Sequence, residues 1–399
     1  NTYTGTTTVS AGTLEVASTG TIAAGGTVYV QAGTTFTNAG TVNATLQLDG
    51  GTATNAGTQG GDAVLNSGAL TNNAGATFAV GKTLTVNGGA FSNLGTVASN
   101  ILTYGGAVTN SGTVSGRVTA IGGTVANSAT GVLADLRLIG ANATNAGNIA
   151  NAVLTAGTLT HTGAAGTGLG TTSILNGAKL LNTGTVSSGT VSVAAGGTLQ
   201  NAGTFAGTAA ATVATGGILA AGNNLGVATF STLTLSAGSV IHLESSDPGN
   251  LAKRDAIVVT DSLLTPNVAG GAAPVQVKLF SFNDALAARG AASVFNPNLA
   301  YNWTFLSGPT VNDAGLTTAK FALDQTGWNG SVGTWSLATV ANATTGFNDL
   351  KLVYTPTNPL VAIDVGTDAL ASTISAISLA NVPTIAGLNK SGAGIQIGR

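Results

Sequence analysis

A short phrase recurs along the first half of the chain: Asn, any residue, Gly, a small polar residue and an apolar residue. Asn38-Ala-Gly-Thr-Val and Asn110-Ser-Gly-Thr-Val show the full form. Successive members lie 17, 18, 20, 17, 17, 18, 37 and 19 residues apart, and the step of 37 spans two periods with a degenerate turn at His161. The chain therefore contains a tandem repeat of about 18 residues. The members are Asn38, Asn55, Asn73, Asn93, Asn110, Asn127, Asn145, Asn182 and Asn201.

A repeat this short limits the folds that are open to the chain. A unit of about 18 residues cannot bury an apolar face alone, so each unit must stack on its neighbours. Within the units, apolar residues alternate with small polar ones, as in Thr83-Leu-Thr-Val, and pairs such as Gly50-Gly and Gly88-Gly separate the runs. Such runs are typical of short strands and corners. The sequence predicts an all-β fold, a parallel β-helix (β-solenoid) of about 18 residues per turn.

The recurring Asn has a physical reason to occupy one place in every turn. When turns stack in register, its carboxamide can donate a hydrogen bond to one neighbour and accept one from the other, which forms a ladder. Asn also tolerates a tight corner, and Gly two residues later allows a backbone conformation that a side chain would forbid. We interpret the series as a structural Asn ladder, and a row of ligand-binding side chains is the alternative. His161 falls where the repeat places Asn, so we expect it to replace a ladder residue.

Composition excludes several classes of function. The 399 residues include no Cys, so disulfides and Cys-based catalysis are excluded, and the formal net charge of −2 offers no basic surface for nucleic acid. No run of 18 or more apolar residues occurs, so no membrane span is predicted. Only 7% of the residues are charged, which favours self-association over repulsion. A chain that opens on Asn1 without Met is expected to be a processed segment.

Composition changes near residue 250. All eight prolines lie at or beyond Pro248, and all three Trp lie between Trp303 and Trp335. Stacked strands exclude Pro because each Pro removes one hydrogen bond between strands. We therefore predict a parallel β-helix over residues 1–266, an aromatic-rich antiparallel β cap over 267–356 and an apolar tail over 357–399. A cap is expected because the last turn of a solenoid exposes unpaired backbone groups.

The apolar tail contains a strand-like run that suggests a route to assembly. The first strand is expected to begin almost at the first residue, which would leave an open strand edge. Tail-strand addition to that edge in a neighbouring copy would produce a homopolymer. The predicted assembly strand contains Leu360, Val361, Ala362, Ile363 and Val365.

Candidate catalytic residues are sparse. The solenoid has four carboxylates, at spacings of 34, 13 and 73 residues that place no two of them at one position of adjacent turns. We therefore expect no paired-acid site, no enzyme activity and no cofactor. The alternative, a β-helix enzyme that degrades polysaccharides, would be favoured if Glu244, Asp247 and Asp255 converged in one groove.

A metal site is conceivable in one loop after the repeats. Asp247, Asn250 and Asp255 supply the oxygen ligands that calcium prefers. Lys253 and Arg254, in the same loop, oppose the binding of a cation. We therefore predict no metal, with these three residues as the alternative.

The first sixteen residues, Asn1-Thr-Tyr-Thr-Gly-Thr-Thr-Thr-Val-Ser-Ala-Gly-Thr-Leu-Glu-Val, carry a family resemblance. They resemble the autotransporter-associated β-strand repeat, whose usual form is N-x-Y-x-G-x-T-x-V-x-x-G-x-L-x-V. Residues 217–226 and 233–240 look like the last passenger turns of the same class, and Asn-x-Gly-Thr-Val is similar to repeats of filamentous-haemagglutinin-type adhesins. The resemblance covers about residues 1–260. It implies a right-handed parallel β-helix, export from a bacterium and display at the cell surface or outside the cell.

These features together predict a non-enzymatic secreted bacterial surface protein. Its β-solenoid would be structural and would self-assemble into extracellular filaments or a surface layer. The alternative is an adhesin passenger fragment that binds glycans or cells. Trp328 and Trp335, with Tyr301, would supply a platform for sugar stacking in that case, although packing of the cap core is the interpretation we favour.

Overall fold

The structure, a computed structural model, describes residues 3–357 except 167, 267–270, 311–315, 331 and 345, together with 388–391 and 394–397. The predicted assembly strand, Leu360 to Val365, lies outside the described residues. Strands make up 59% of the structure. Helical structure within the described ranges is limited to two 3-10 turns, Leu251–Lys253 and Thr318–Lys320. No helix in these ranges is long and apolar enough to cross a membrane.

Short strands separated by glycine-containing corners follow one another along the whole repeat region. The first nineteen are β1 (Thr7–Val9), β2 (Thr13–Val16), β3 (Thr21–Ile22), β4 (Thr27–Gln31), β5 (Thr35–Asn38), β6 (Thr41–Val42), β7 (Thr45–Asn55), β8 (Thr58–Gln59), β9 (Ala63–Asn72), β10 (Thr77–Phe78), β11 (Thr83–Val86), β12 (Ala90–Asn93), β13 (Thr96–Val97), β14 (Asn100–Thr103), β15 (Ala107–Asn110), β16 (Thr113–Ala120), β17 (Thr124–Asn127), β18 (Val132–Ile139) and β19 (Asn142–Asn145). The remaining strands are β20 (Asn148–His161), β21 (Leu169–Ile174), β22 (Ala178–Asn182), β23 (Thr185–Val186), β24 (Thr190–Val193), β25 (Thr198–Asn201), β26 (Thr204–Val213), β27 (Ile218–Ala221), β28 (Val227–Leu235), β29 (Val240–Ser245), β30 (Ala256–Leu264), β31 (Val275–Asn283), β32 (Ala288–Arg289), β33 (Tyr301–Ser307), β34 (Phe321–Gly327), β35 (Thr334–Ala341), β36 (Asn348–Thr355), β37 (Leu388–Ser391) and β38 (Gly394–Ile397).

Strands of successive turns pair in parallel and form three rows along the molecule. The first row begins β1, β4, β7, β9, β11 and β14; the second begins β2, β5, β7, β9, β12 and β15; and the third begins β3, β6, β8, β10 and β13. The result is a parallel β-solenoid of about 12 turns with about 19 residues per turn, which confirms the predicted fold class. With about 4.8 Å between turns, the stack is on the order of 60 Å long.

The core lies inside the turns. Because apolar and polar residues alternate along the strands, every second side chain, the apolar one, points inwards. Val28 and Val30 of β4 pair in register with Leu46 and Leu48 of β7, and all four are buried. Larger side chains also stack inside, and the rings of Phe205 and Phe230 in adjacent turns lie 5.0 Å apart. Each large apolar side chain buried in this way contributes about 1.5–3 kcal/mol.

The predicted antiparallel cap is present but begins later than residue 267. β33, β36 and β35 form an antiparallel unit, and β33 also pairs in parallel with β30. Before this unit, β31 pairs in parallel with β29, and β34 pairs in parallel with β31, so the second row continues past the predicted boundary at 266. Alternating residues are equally compatible with parallel and antiparallel pairing, which is why the sequence could not place this change. β37 and β38 form a separate antiparallel pair.

Candidate functional site

The recurring Asn side chains form a buried hydrogen-bonded ladder at the corner where each second-row strand ends. The Nδ2 group of one Asn donates to Oδ1 of the Asn in the next turn, at 2.7–2.8 Å in every Asn–Asn step. At the first step, Asn38 Nδ2 also donates to the carbonyl of Thr58 at 3.0 Å, and its Oδ1 accepts from the N–H of Gly40 at 3.0 Å. These contacts use the carboxamides within the protein and leave no open row for a ligand. The ladder positions are Asn38, Asn55, Asn72, Asn93, Asn110, Asn127, Asn145, His161, Asn182 and Asn201, and within the described residues the series of side-chain hydrogen bonds is interrupted between His161 and Asn182.

The third ladder residue is Asn72, where the sequence interpretation placed Asn73. Asn72 stands in register with Asn55 and Asn93 and is hydrogen-bonded to both at 2.8 Å. Asn73 follows the strand and is only half-buried. The corner after Asn72 has one extra residue before Gly75, so the Asn-x-Gly phrase matches one position late. Because neighbouring residues of a strand face opposite sides, a motif match that is displaced by one residue selects Asn73 in place of the inward-facing Asn72.

His161 takes the ladder position between Asn145 and Asn182, as the repeat predicts. Its Nδ1 lies 3.0 Å from Nδ2 of Asn145, and its Nε2 lies 3.3 Å from the carbonyl oxygen of Thr185. Because the Asn145 amide nitrogen donates, Nδ1 accepts and the ring proton is on Nε2, which donates to Thr185. Burial lowers the pKa of His161, although interactions with the backbone of Thr185 and Asn145 oppose this effect. The imidazole is therefore a neutral structural substitute for Asn.

A second ladder, which the sequence interpretation missed, lies on the outside of three early turns. Asp49 Oδ1 accepts from Asn66 Nδ2 at 2.7 Å, and Asn66 Oδ1 accepts from Asn87 Nδ2 at 2.7 Å. A hydrogen bond from Tyr29, followed by that from Asn66, lowers the pKa of Asp49. Each of these residues directly follows the part of its strand that pairs in the first row. This common position in the turn is the sequence signal that could have identified the outer ladder.

The structure does not bring the three calcium candidates together. Asp247 Oδ1 accepts from the N–H of Gly249 and Asn250 Oδ1 accepts from the N–H of Ala252, both at 3.0 Å in local turns. Asp255 is only 1% exposed and accepts two backbone hydrogen bonds of its own. No group of three or more His, Cys, Asp or Glu side chains suited to a metal occurs among the described residues.

The aromatic residues of the cap pack inside it, which confirms the core interpretation. Trp328 is 6% and Trp335 is 4% exposed; their ring centroids lie 5.0 Å apart, and Phe295 packs against both at 5.1 and 6.4 Å. The Trp303 indole donates to the carbonyl of Asp255 at 2.6 Å. The indole N–H groups of Trp328 and Trp335 have no hydrogen-bond partner among the described residues. Buried rings of this kind do not form a surface platform for sugars.

A polar cleft of about 270 Å³ opens on the outer face of the second row, next to the last ladder residue. Gln200, Ala220 and His242 stand in register across its floor on β25, β27 and β29. Because Ala220 is short and lies between two long side chains, the floor has a depression at its centre. The other residues that line the cleft are Lys179, Thr198, Ala221, Asn224, Glu244, Asp255 and Arg289.

One wall of the cleft is held in place by Arg289 on β32. Its Nε donates to Glu244 Oε1 at 2.6 Å, and one terminal nitrogen lies 3.2 Å from His242 Nδ1. The guanidinium carbon lies 3.4 Å from the centre of the Phe280 ring, a cation–π contact. Since the guanidinium can only donate, His242 accepts through Nδ1 and carries its proton on Nε2. Burial, with the charges of Arg289 and Lys278, lowers the pKa of His242 to about 4.

The opposite wall depends on Asp255 and the loop 222–226. Asp255 Oδ1 accepts from the N–H of Gly226 at 2.9 Å, and Oδ2 accepts from the N–H of Glu244 at 2.8 Å. Burial raises the pKa of the Asp255 carboxyl well above its usual value, while these two N–H groups oppose the shift. Within the loop, Asn224 adopts a left-handed φ of 81°, which Asn tolerates better than most residues. The loop is thus tied to the rod through a buried carboxyl.

Lys179 is the cation of the cleft that lacks a counter-ion in contact. It forms neither an ion pair nor a hydrogen bond with its side chain among the described residues. Burial lowers the pKa of Lys179, and the charge of Glu244 opposes this effect. Glu244 and Asp255 line this cleft but Asp247 does not, so the convergence of all three residues on which the enzyme alternative depended is not present.

Sequence reasoning did not find the cleft because its residues are distant along the chain. Lys179 and Arg289 are 110 positions apart, and only the register of four successive turns brings them into one cleft with Glu244.

Comparison with known proteins finds no family model that matches the chain and no curated protein with significant similarity. The resemblance to the autotransporter-associated repeat therefore rests on the residues quoted for it.

Proposed function

We propose that this protein is a structural rod of the bacterial cell surface, which is secreted, has no catalytic activity and associates with itself into filaments or a surface layer. The observation that carries the proposal is the buried ladder from Asn38 to Asn201. Its polar groups are used to fix one turn on the next and not to meet a ligand. Secretion and surface display are supported by the resemblance of residues 1–16 to exported β-helix repeats.

The ladder suits a rod that must hold a fixed length. Each carboxamide bond is directional and lies where water is excluded, so a slip of one turn against the next would leave buried donors and acceptors unpaired. Unpaired groups of this kind cost about 1–3 kcal/mol each. A stack held in this way resists bending and changes of register, which is useful in a spacer or filament.

Lateral association is supported by an apolar stripe along one corner of the rod. Tyr104, Ile121 and Ile139 each lie at the end of a first-row strand in consecutive turns and are 50%, 40% and 48% exposed. Exposed apolar side chains in a line favour contact with another apolar surface. The low charge of the chain adds little repulsion between copies.

Electron microscopy of the purified chain tests the proposal. We expect rods that associate into filaments or sheets, and fewer assemblies for Ile121→Asp than for the control Thr124→Asp, which adds the same charge at an exposed position outside the stripe. Separate rods at every concentration would contradict self-assembly, and globular particles would contradict the rod. A chain shortened by residues 357–399 that still assembles normally would refute a role for the tail strand.

Binding of glycans is the second candidate function, and the polar cleft at Ala220 favours it. The buried Trp328 and Trp335 no longer support it, so the candidate site moves from the cap to the side of the rod. A polysaccharide-degrading enzyme has less support, because both carboxylate oxygens of Asp255 already accept backbone hydrogen bonds.

A further inference from the structure

We propose that the cleft around Ala220 binds a saccharide that carries a carboxylate, such as a stretch of uronic acid residues. The inference goes beyond the structural role of the rod. It names the ligand of the glycan-binding alternative and therefore rests on that alternative.

The first observation is the concentration of charge in the cleft. Only 7% of the residues in the chain are charged, yet Lys179, Glu244, Asp255 and Arg289 line this one depression. The charged side chains of the other ladder turns are few and scattered, and the closest group is the Arg117–Asp135 pair at 2.6 Å. A cleft with converging polar groups and shifted pKa values is a typical ligand site.

The charges favour an anion with a single negative charge. Glu244 is matched by Arg289 at 2.6 Å, whereas Lys179 has no such contact within the described ranges. Because Lys179 is half-buried, its attraction for an anion is less screened than at an open surface. A phosphate monoester carries close to two negative charges and would be repelled more strongly than a carboxylate by Glu244 on the far side. A carboxylate therefore fits best.

The uncharged groups of the cleft suit hydroxyls. The side chains of Thr198, Gln200 and Asn224 can each donate and accept hydrogen bonds, as sugar hydroxyls do. His242 adds a donor, since its Nδ1 is engaged by Arg289 and its proton lies on Nε2. With a pKa of about 4, this imidazole stays neutral throughout the neutral pH range.

The shape of the cleft suits a short segment that crosses the turns diagonally. Lys179 stands in register with Val240 of β29, three strand spacings or roughly 14 Å away, and Glu244 lies about four residues farther along β29. The depression at Ala220 lies between them. Arg289 and the tie between Gly226 and Asp255 fix both walls before a ligand arrives, which lowers the entropy cost of binding.

Calorimetry with uronate oligosaccharides and their carboxyl-reduced, neutral counterparts tests the inference. We expect the wild-type chain to bind the uronate form and to bind the neutral form about tenfold more weakly or worse, the effect of about 1.4 kcal/mol from one charged contact. Lys179→Met should weaken uronate binding about tenfold and leave the weak binding of the neutral form unchanged. Binding should persist from about pH 5 to 8, because His242 does not titrate there.

A matched pair of variants tests the location. Ala220→Trp should fill the depression and abolish binding, while Ala126→Trp, at the equivalent outward position one residue before a ladder Asn, should bind as wild type. Absence of uronate binding, equal binding of the neutral form, tighter binding of a sulfated oligosaccharide or equal loss in both Trp variants would each overturn the proposal. Microscopy of the same variants keeps the two proposals separate, because Ala220→Trp should still form rods.

Discussion

The ladder turns, from Asn38 to Asn201, and the turns that follow Ala221 share the same parallel pairing but place their polar groups differently. In the ladder turns a polar side chain is buried at the corner, and two to four residues separate each second-row strand that ends in Asn from the next strand, whereas seven follow His161. Ala221 stands in register with Asn201 and ends the ladder. The next corners carry the loops 222–226 and 246–255, which form and support the cleft. The corners after ladder Asn residues are thus short, and the longer corners after Ala221 and Ser245 build the site.

The largest effect that separates the two regions is expected from the loss of a ladder side chain. Asn72→Ala removes the 2.8 Å hydrogen bonds to Asn55 and Asn93 and leaves these buried groups only longer contacts, so the free energy of unfolding should fall by about 2–4 kcal/mol. Asn73→Ala is the matched control, because the side chain of Asn73 lies outside the ladder, and it should change stability by less than about 0.5 kcal/mol. Urea unfolding followed by circular dichroism measures both. Equal losses would mean that the ladder does not hold the turns.

The cleft region is expected to depend on a buried carboxylate in place of the carboxamides. Asp255→Asn turns an amide NH₂ towards the N–H of either Gly226 or Glu244, where two donors would face each other. We therefore expect the free energy of unfolding to fall by about 1–3 kcal/mol. Asp247→Asn keeps the oxygen that accepts from Gly249 and should be nearly neutral. Thermal unfolding distinguishes them, and a stable Asp255→Asn variant would show that the loop does not need this tie.

A smaller effect should distinguish two buried Trp residues of the cap. Trp303→Phe removes the donor to the Asp255 carbonyl and should cost about 1–2 kcal/mol more than Trp328→Phe, which removes an N–H that has no partner among the described residues. The two substitutions delete the same atoms, so packing losses largely cancel in the comparison. Equal stabilities of the two variants in denaturant titrations would contradict the assigned hydrogen bond.

The smallest effect is a pH dependence that arises at the one ladder position without Asn. Burial lowers the pKa of His161 below its ordinary value of 6.5, so the unfolded chain binds the proton more readily than the folded chain. The stability from the neutral ring is therefore complete above about pH 6.5 and is lost as the pH falls below that value. His161→Asn should replace the ring nitrogen that contacts Asn145 with an amide oxygen and remove this part of the pH profile. An unchanged profile in the variant would exclude His161 as its source.

The sequence was sufficient to predict the solenoid because its signal is repeated many times. One Asn-x-Gly match is weak, but the same phrase at a constant period defines the turn, the strands and the ladder corner. The exact ladder residue at Asn72 was not predictable by motif, since an inserted residue before Gly75 moves the match without moving the strand. Strand direction after β30 was also open, because the alternation is the same for both directions.

The cleft was beyond the reach of sequence reasoning for a different reason. Its floor depends on the small size of Ala220 relative to Gln200 and His242, and that contrast is visible only once three turns are placed in register. Its wall depends on Arg289, which reaches Glu244 from 45 residues away. A repeat predicts the features that every turn has in common, whereas this cleft depends on residues that differ from one turn to the next.

Hydrogen exchange of the side-chain amides tests the central role of the ladder most directly. NMR spectra of the chain transferred to heavy water should retain the Nδ2 protons of the nine ladder Asn residues long after that of the half-buried Asn73 has exchanged. Rapid exchange of the carboxamides of Asn93, Asn110 and Asn127, at the same rate as Asn73, would show that they are open to water and that the turns are held together by other means.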